Sequence, residues 1–456
     1  MTPSATGRLT DLIIGTMEVN EIWAPHATVQ AMLDVEAALA RACAAHGVIS
    51  TRAVGAIEAT CHAAQIDIQS LMQQAALSGN LAIPLIEQLT AQVKARDAEA
   101  AKYVHWGATS QDIIDTGAVL QLRATFHWLD TQLHALRNAL AMRASAHRTT
   151  PMAGRTWLQQ ALPITLGLKF AQWLDALLRH HERLVDLRQR VLVLQFGGAA
   201  GTLASLRDAA PAVGATLAHE LQLAQPTLPW HTQRDRIAEV AAYLGMLTGT
   251  LGKIARDISL QMQTEVGELA EPHIVGKGGS SSMPHKRNPV GCAAVLSAAT
   301  RTPGLVATIL AGMVQEHERA LGGWQAEWET LPELARLASG ALAHMLQIVQ
   351  ALDIDVPRLA ANLDATHGLM LGEAVALALG DEIGRLEAHH RAEQASRTAV
   401  QTGRPLRDVL AADETVTRHI SPQRLAELLE PANYLGQSTS FIDAVLAAHA
   451  AFARGA

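Results

Sequence analysis

The chain has 456 residues, more than one hydrophobic core usually organises, so two or three structural units should share it. Apolar residues make up 49% of it while Phe, Trp and Tyr supply only 4%, so Ala and Leu fill the interior and a helical build is expected. With 36 basic and 43 acidic residues the net charge is −7, which argues against a polyanion-binding surface and against nucleic acid as a partner, yet leaves room for a local basic pocket that takes a small carboxylate or phosphate.

In chain order, the polar start from Met1 to Thr10 lacks the apolar core of a secretory signal, and no stretch reads as apolar and charge-free for long enough to cross a bilayer, so a membrane is not expected. From Ala27 to Gly47, Val29, Met32, Leu33 and Val35 share one side of a helix that Gly47 can end. A second helical run covers about Arg52 to Met72. Leu120, Leu122, Phe126, Leu129, Leu133, Leu136 and Leu140 then predict a long helix within Gly117 to Arg148. Pro163 can begin the next, which runs through Leu166, Phe170, Leu174, Leu177 and Leu184 to the stop at Phe196-Gly197-Gly198. Further runs span Arg236 to Glu268 and, apart from Pro303, Val290 to Gln315, and another begins near Pro332. Such lengths suit a bundle, and a helical period beyond about 25 residues points to coiled-coil-like packing or oligomerisation. No alternating strand pattern stands out. After Asp353 the helices shorten, broken by Gly403, Pro405, Pro422 and Pro431. The expected division is therefore 1–108, a central long-helix bundle over 109–352 and a small helical domain over 353–456. Cys43, Cys61 and Cys292 are odd in number and lack zinc spacing, which fits a reducing cytoplasm.

The segment Gly278-Gly279-Ser280-Ser281-Ser282-Met283-Pro284-His285-Lys286-Arg287-Asn288-Pro289 interrupts this helical pattern. Its successive N–H groups and hydroxyls, with Lys286 and Asn288, can surround a carboxylate and stabilise charge developing on it. The plainer alternative is a solvated surface loop. The segment lacks the residue order of a phosphate-binding P-loop.

The pattern G-S-S-x-M-P-x-K-x-N-P resembles the signature loop of the fumarase, aspartase, argininosuccinate lyase and adenylosuccinate lyase superfamily. Val104-His105-Trp106-Gly107-Ala108-Thr109-Ser110-Gln111-Asp112, and Gly154-Arg155-Thr156 followed by Pro163-Ile164-Thr165-Leu166-Gly167, resemble two further superfamily regions in the same order. The resemblance implies an all-α, three-domain subunit whose long central helices build a tetrameric core, with each active site drawn from three subunits. It implies that Ser280 transfers the proton at the carbon beside a substrate carboxylate, and that Lys286, Asn288, Thr109 and Ser110 orient the substrate. Gln233 and Arg234, in His231-Thr232-Gln233-Arg234-Asp235, resemble a substrate-site segment, although a capped helix starting at Asp235 explains them equally. His105 is either a carboxylate contact or a satisfied helix-start histidine. His285 either tunes charge within the loop or faces solvent.

Two departures narrow the chemistry. The lyases place a histidine after Gly-Arg-Thr and a glutamate five residues past the loop Asn, whereas this sequence has Trp157 and Ala293. A silent lyase is one reading. The other is that Arg155 and Trp157 in Gly-Arg-Thr-Trp-Leu-Gln, with Trp324-Gln-Ala-Glu-Trp-Glu-Thr-Leu-Pro332, resemble the superfamily's bacterial cycloisomerases of 3-carboxymuconates. That branch implies intramolecular lactonisation of a small tricarboxylate, with a 3-sulfomuconate or, more distantly, adenylosuccinate as alternative substrates. A substrate carboxylate already ionised at neutral pH attacks without a base, so no histidine dyad is required. His317-Glu318-Arg319 is followed by Leu321, which breaks the helical zinc pattern, and no metal or cofactor is expected.

Overall fold

The computed structural model describes residues 9–455 apart from Val275, Ser280, Ser281, Pro284 and His285, with side chains described through Phe452. The sequence expectations on Ser280 and His285 therefore lie outside the described residues. Seven helices matter for the site: α1 (Pro25–Ala45), α2 (Ala82–Arg96), α3 (Ser110–Ala146), α4 (Leu166–Val191), α5 (Asp235–Gln261), α6 (Val290–Ala311) and α7 (Gly323–Gln350). Leu122, Phe126, Leu129, Leu133, Leu136 and Leu140 recur at helical spacing along α3, and all are fully buried. Phe170, Leu174, Leu177 and Leu184 do the same along α4, whose last turn carries Arg188 and Arg190, cations that complement the helix dipole.

Two compact units divide the chain. One comprises Met1–Leu133, His180–Gly252 and Ala294–His344, and the other His134–Arg179, Lys253–Ala293 and Met345–Ala456. Segment 1–108 falls in the first and 353–456 in the second, while the central stretch is divided because every boundary inside it cuts a long helix. In the second unit, short helices from Gly372 onward close over their own core of Val375, Leu379, Ala388, Leu406, Leu410, Val416 and Ile420.

Several expectations need correction. Pro163 does not open a helix; it lies in β2 (Gln159–Thr165), paired with Ala153 of β1 (Pro151–Thr156) in an antiparallel hairpin. A two-stranded ribbon has two edges, so a residue without an N–H is tolerated there. The helix begins after Thr165, whose Oγ1 accepts a 3.0 Å hydrogen bond from the Leu168 N–H as a cap. The run from Arg52 to Met72 is divided by a single-turn segment, Ala63–Gln65, into Thr51–Glu58 and Ile68–Ser78, the latter capped by Asp67. Pro303 and Pro332 lie inside helices. Among the described residues one helix, Val290–Ala311, is long and apolar enough to cross a membrane by length and composition, and 28% of its apolar window is buried. It carries Arg301, which is paired with Glu333.

Candidate active site

In the first unit, the backbone leaves a 3-10 turn at Ala100–Tyr103 and passes His105 and Thr109 before α3 starts at Ser110. Asp112, in the first turn, accepts the Thr109 N–H at 3.0 Å, the backbone half of a capping box. That leaves the Thr109 hydroxyl available, and it accepts from Arg319 Nη1 at 2.8 Å. Ser110 Oγ accepts from Asn80 Nδ2 at 3.0 Å. His105, Thr109, Ser110, Ile83, Ile86 and Glu87 line one cavity of about 390 Å³. His105 adopts a left-handed backbone (φ 59°), a costly conformation for a residue with a Cβ. Its Nδ1 lies 2.6 Å from Glu36 Oε1, whose side chain is 1% exposed. Burial opposes charge on the ring, but Glu36, by its charge and its hydrogen bond, and Asp112 outweigh burial and raise the His105 pKa.

Asp112 holds this segment to two others. Its carboxylate also accepts the N–H groups of Gly197 (3.0 Å) and Gly198 (2.9 Å), and lies 2.7 Å from His231 Nε2. A buried carboxylate is stable only when so saturated. Arg319 extends the same assembly, donating to the Ala199 carbonyl at 3.1 Å.

Arg234 is buried among acidic partners. Its side chain is 2% exposed; Nη1 and Nη2 fork onto Asp115 at 2.7 and 3.1 Å, and Nε bonds Glu327 at 2.9 Å. Trp324 Nε1 and Gln111 Nε2 satisfy Asp115 further, at 2.9 and 3.1 Å. In this chain the guanidinium is thus engaged in a buried charge network. Gln233, one residue earlier, is exposed.

In the second unit, Arg155 lies on β1 with both arms on Glu268, at 2.8 and 2.6 Å, and Glu268 is fully buried and also accepts from Asn362 Nδ2 at 2.8 Å. Its guanidinium is thus committed within the protein. Thr156 pairs with Gln159, so Trp157 and Leu158 form a two-residue hairpin turn in which both have positive φ, 52° and 65°. Such turns normally carry Asn or Gly. Here two bulky residues hold it, and Trp157 is 98% exposed.

The signature segment is tied at its base. The Asn288 N–H donates to the Gly278 carbonyl at 2.9 Å, and Gly279 and Arg287 form an antiparallel bridge. At Gly278 (φ 72°) a Cβ would stand 2.7 Å from the Asn288 oxygen, so only glycine closes this base. Arg287 donates to the Glu271 carbonyl and to Asp353 at 2.8 Å. The Glu271 carboxylate accepts the Gly291 and Cys292 N–H groups at 3.1 and 2.7 Å, capping α6. Lys286 is exposed and Asn288 half-buried. Sequence reading overlooked Glu36, Asn80, Arg319 and Glu271 as supports. Only Asp112 carried a local signal, at the third position after Thr109.

The structure therefore brings His105, Thr109 and Ser110 together in one unit, and places Arg155, Trp157, Lys286 and Asn288 in the other. Among the described residues, no three His, Cys, Asp or Glu side chains gather as a metal site.

Residues 15–304 match a family model described as "Lyase", and residues 368–445 one described as "Adenylosuccinate lyase C-terminus". The 3-carboxy-cis,cis-muconate cycloisomerase of Pseudomonas aeruginosa is 52% identical over 449 residues, covering 98% of each chain. The enzyme of the same name from Bradyrhizobium diazoefficiens is 55% identical over 419 residues, 92% of this chain and 93% of that one. The crystal structure of 3-carboxy-cis,cis-muconate lactonizing enzyme from Pseudomonas putida superposes with a TM-score of 0.94 at 48% identity, covering 98% of this chain and 100% of that chain.

Proposed function

The chain belongs to the lyase family whose model spans residues 15–304, and from that premise we propose that it lactonises 3-carboxy-cis,cis-muconate reversibly to 4-carboxymuconolactone, as an intramolecular lyase. The end-to-end similarity to cycloisomerases carries this reading. The substrate's own carboxylate oxygen adds across the conjugated double bond, forming one C–O bond and moving the π electrons onto a second carboxylate as an enediolate. One proton then goes to the carbon beside that carboxylate. Ser280 is the proposed donor, Lys286, Asn288, Thr109 and Ser110 supply the cationic and hydrogen-bonding surround that stabilises the enediolate, and His105 contacts a substrate carboxylate that does not react. Trp157 shapes the pocket where a hydrating or amine-eliminating lyase needs a base. His285 and Gln233 stay as peripheral substrate contacts in this reading.

The direct experiment is spectrophotometric turnover of 3-carboxy-cis,cis-muconate beside its 3-sulfo analogue and adenylosuccinate. Loss of the muconate absorbance with the first substrate is expected. Turnover of adenylosuccinate alone would defeat the reading, and a preference for the sulfonate would move it to the neighbouring substrate.

We also propose a homotetramer with active sites shared by three subunits, built on the 109–352 bundle between the 1–108 and 353–456 regions. Support comes from the apolar, largely uncovered helix Val290–Ala311, with Val314 86% and Trp157 98% exposed. Apolar surface of that extent marks interaction sites. The expected sedimentation mass is about four times that of the 48.6 kDa chain. Mixing inactive Thr109→Val and Ser280→Ala proteins under subunit exchange is expected to restore turnover; sites complete within one chain would show no recovery. The three buried thiols suit the reducing cytoplasm, which is the proposed location.

A further inference from the structure

We propose that Glu36 is a positioning residue: it holds His105 as a doubly protonated ring whose outer nitrogen, Nε2, presents an N–H to the cavity shared with Thr109 and Ser110, and so sets the pH range over which that cavity binds a carboxylate. The proposal rests on the cycloisomerase reading only for the identity of the anion used in the activity assay.

Three independent features meet at this pair. Glu36 sits in the interior of α1, 1% exposed, where an unpaired carboxylate is costly; among the described residues His105 is its one hydrogen-bond partner, at 2.6 Å. With Nδ1 bound to that carboxylate, the ring's only other donor is Nε2. His105 also keeps a left-handed backbone, and the surroundings must maintain that strain. Finally, His105 lines the cavity with Thr109 and Ser110, so the second nitrogen belongs to a ring that borders open space. The acid holds one nitrogen of a ring that borders the cavity, an arrangement that delivers a fixed cation to an incoming anion.

The groups around the ring determine the sign of the pH effect. Glu36 from α1 and Asp112 from α3 favour the charged ring, and burial opposes it, with a raised pKa as the net result. Glu87 from α2 lines the same cavity, and Arg319 reaches Thr109. Cys43 and Cys61, pushed up to about 12 chiefly by burial and next by Glu36, stay neutral thiols and add no charge. Below the raised value the imidazolium is present and the anion is bound tightly. As pH rises through it the cation is lost, and KM rises.

The test combines a chemical readout with kinetics. Diethyl pyrocarbonate acylates neutral imidazole, so the pH midpoint of its reaction at His105, read by peptide mass spectrometry against the exposed His62, follows the ring's protonation in the native protein. The wild-type midpoint at His105 is expected above that at His62, and Glu36→Gln is expected to bring it down to that of His62 or lower. The same variant is expected to raise KM for 3-carboxy-cis,cis-muconate about tenfold at pH 7.5, the scale of one charge-assisted contact, with kcat within about twofold. In a His105→Asn background Glu36→Gln is expected to add nothing. A shared midpoint in the wild type and Glu36→Gln would overturn the proposal, as would a KM effect that persists without His105. If Glu36→Gln does not fold, the wild-type midpoint decides alone, and a value at or below that of His62 refutes the proposal. A wild type that ignores the muconate would sink the cycloisomerase reading, while the acylation midpoints still decide the role of Glu36.

Discussion

Ser280→Ala is expected to lower kcat by about 10²- to 10⁴-fold, the range of a positioned acid–base group, with KM and subunit assembly nearly unchanged. The loss should be confined to chemistry because the segment's flanks are fastened independently of the serine. Gly278 and Asn288 close the base, Arg287 bonds the Glu271 carbonyl and Asp353, and the Glu271 carboxylate caps α6. Removing one hydroxyl disturbs none of these contacts. Stopped-flow and steady-state assays at saturating substrate separate the outcomes. Near-normal turnover would reassign proton delivery to Lys286 or His285, each of which lies in the same segment and can carry a transferable proton. Restoring a dyad through Trp157→His with Ala293→Glu is expected to give no gain, since the attacking carboxylate has no proton to remove.

Arg234→Met is expected to destabilise the folded chain by about 3–5 kcal/mol, seen as an earlier midpoint in urea unfolding, because it strands two buried carboxylates. Asp115 and Glu327 are 4% and 5% exposed, and Arg234 supplies hydrogen bonds to both. Burial first, and then the neighbouring Asp115 charge, raise the Glu327 pKa despite the guanidinium, so the site is one where uncompensated charge is expensive. Adding Asp115→Asn and Glu327→Gln to the arginine variant should recover much of the loss, as neutral amides carry no Coulombic penalty. The opposite pattern, an unchanged unfolding midpoint with a greatly raised KM, would return Arg234 to the substrate-contact role that its sequence context suggests.

The long helices were legible in the sequence because each repeats large aliphatic residues at a spacing of three and four; Phe126, Leu129, Leu133, Leu136 and Leu140 leave no other period. The hairpin was hidden for the opposite reason. From Pro151 to Thr165 the strands are short, have partly exposed faces, contain two prolines and turn through Trp157-Leu158 instead of a glycine pair, so each local signal of a strand or turn is missing. The candidate site divides in the same way. His105, Thr109, Ser110, Lys286 and Asn288 stand in contiguous segments with recognisable spacing. Glu36, Asn80 and Arg319 reach their partners across 69, 30 and 210 positions, and no local pattern encodes such pairings. Arg234 shows that a motif can bring attention to a residue without revealing whether its charge faces outward or is already engaged.

The interior placement of the three thiols gives the molecule its own set of reporters. Cys43 and Cys292 are fully buried and Cys61 is 5% exposed; burial raises all three above the pH at which a thiolate forms in neutral buffer. In the folded state an alkylating reagent therefore finds nothing to react with, and air oxidation has no accessible sulfur. Labelling occurs only when the chain opens. Cys43 and Cys61 belong to the first compact unit and Cys292 to the second. The relative rates at which the three sulfurs are tagged thus time the opening of each half separately, without any engineered probe.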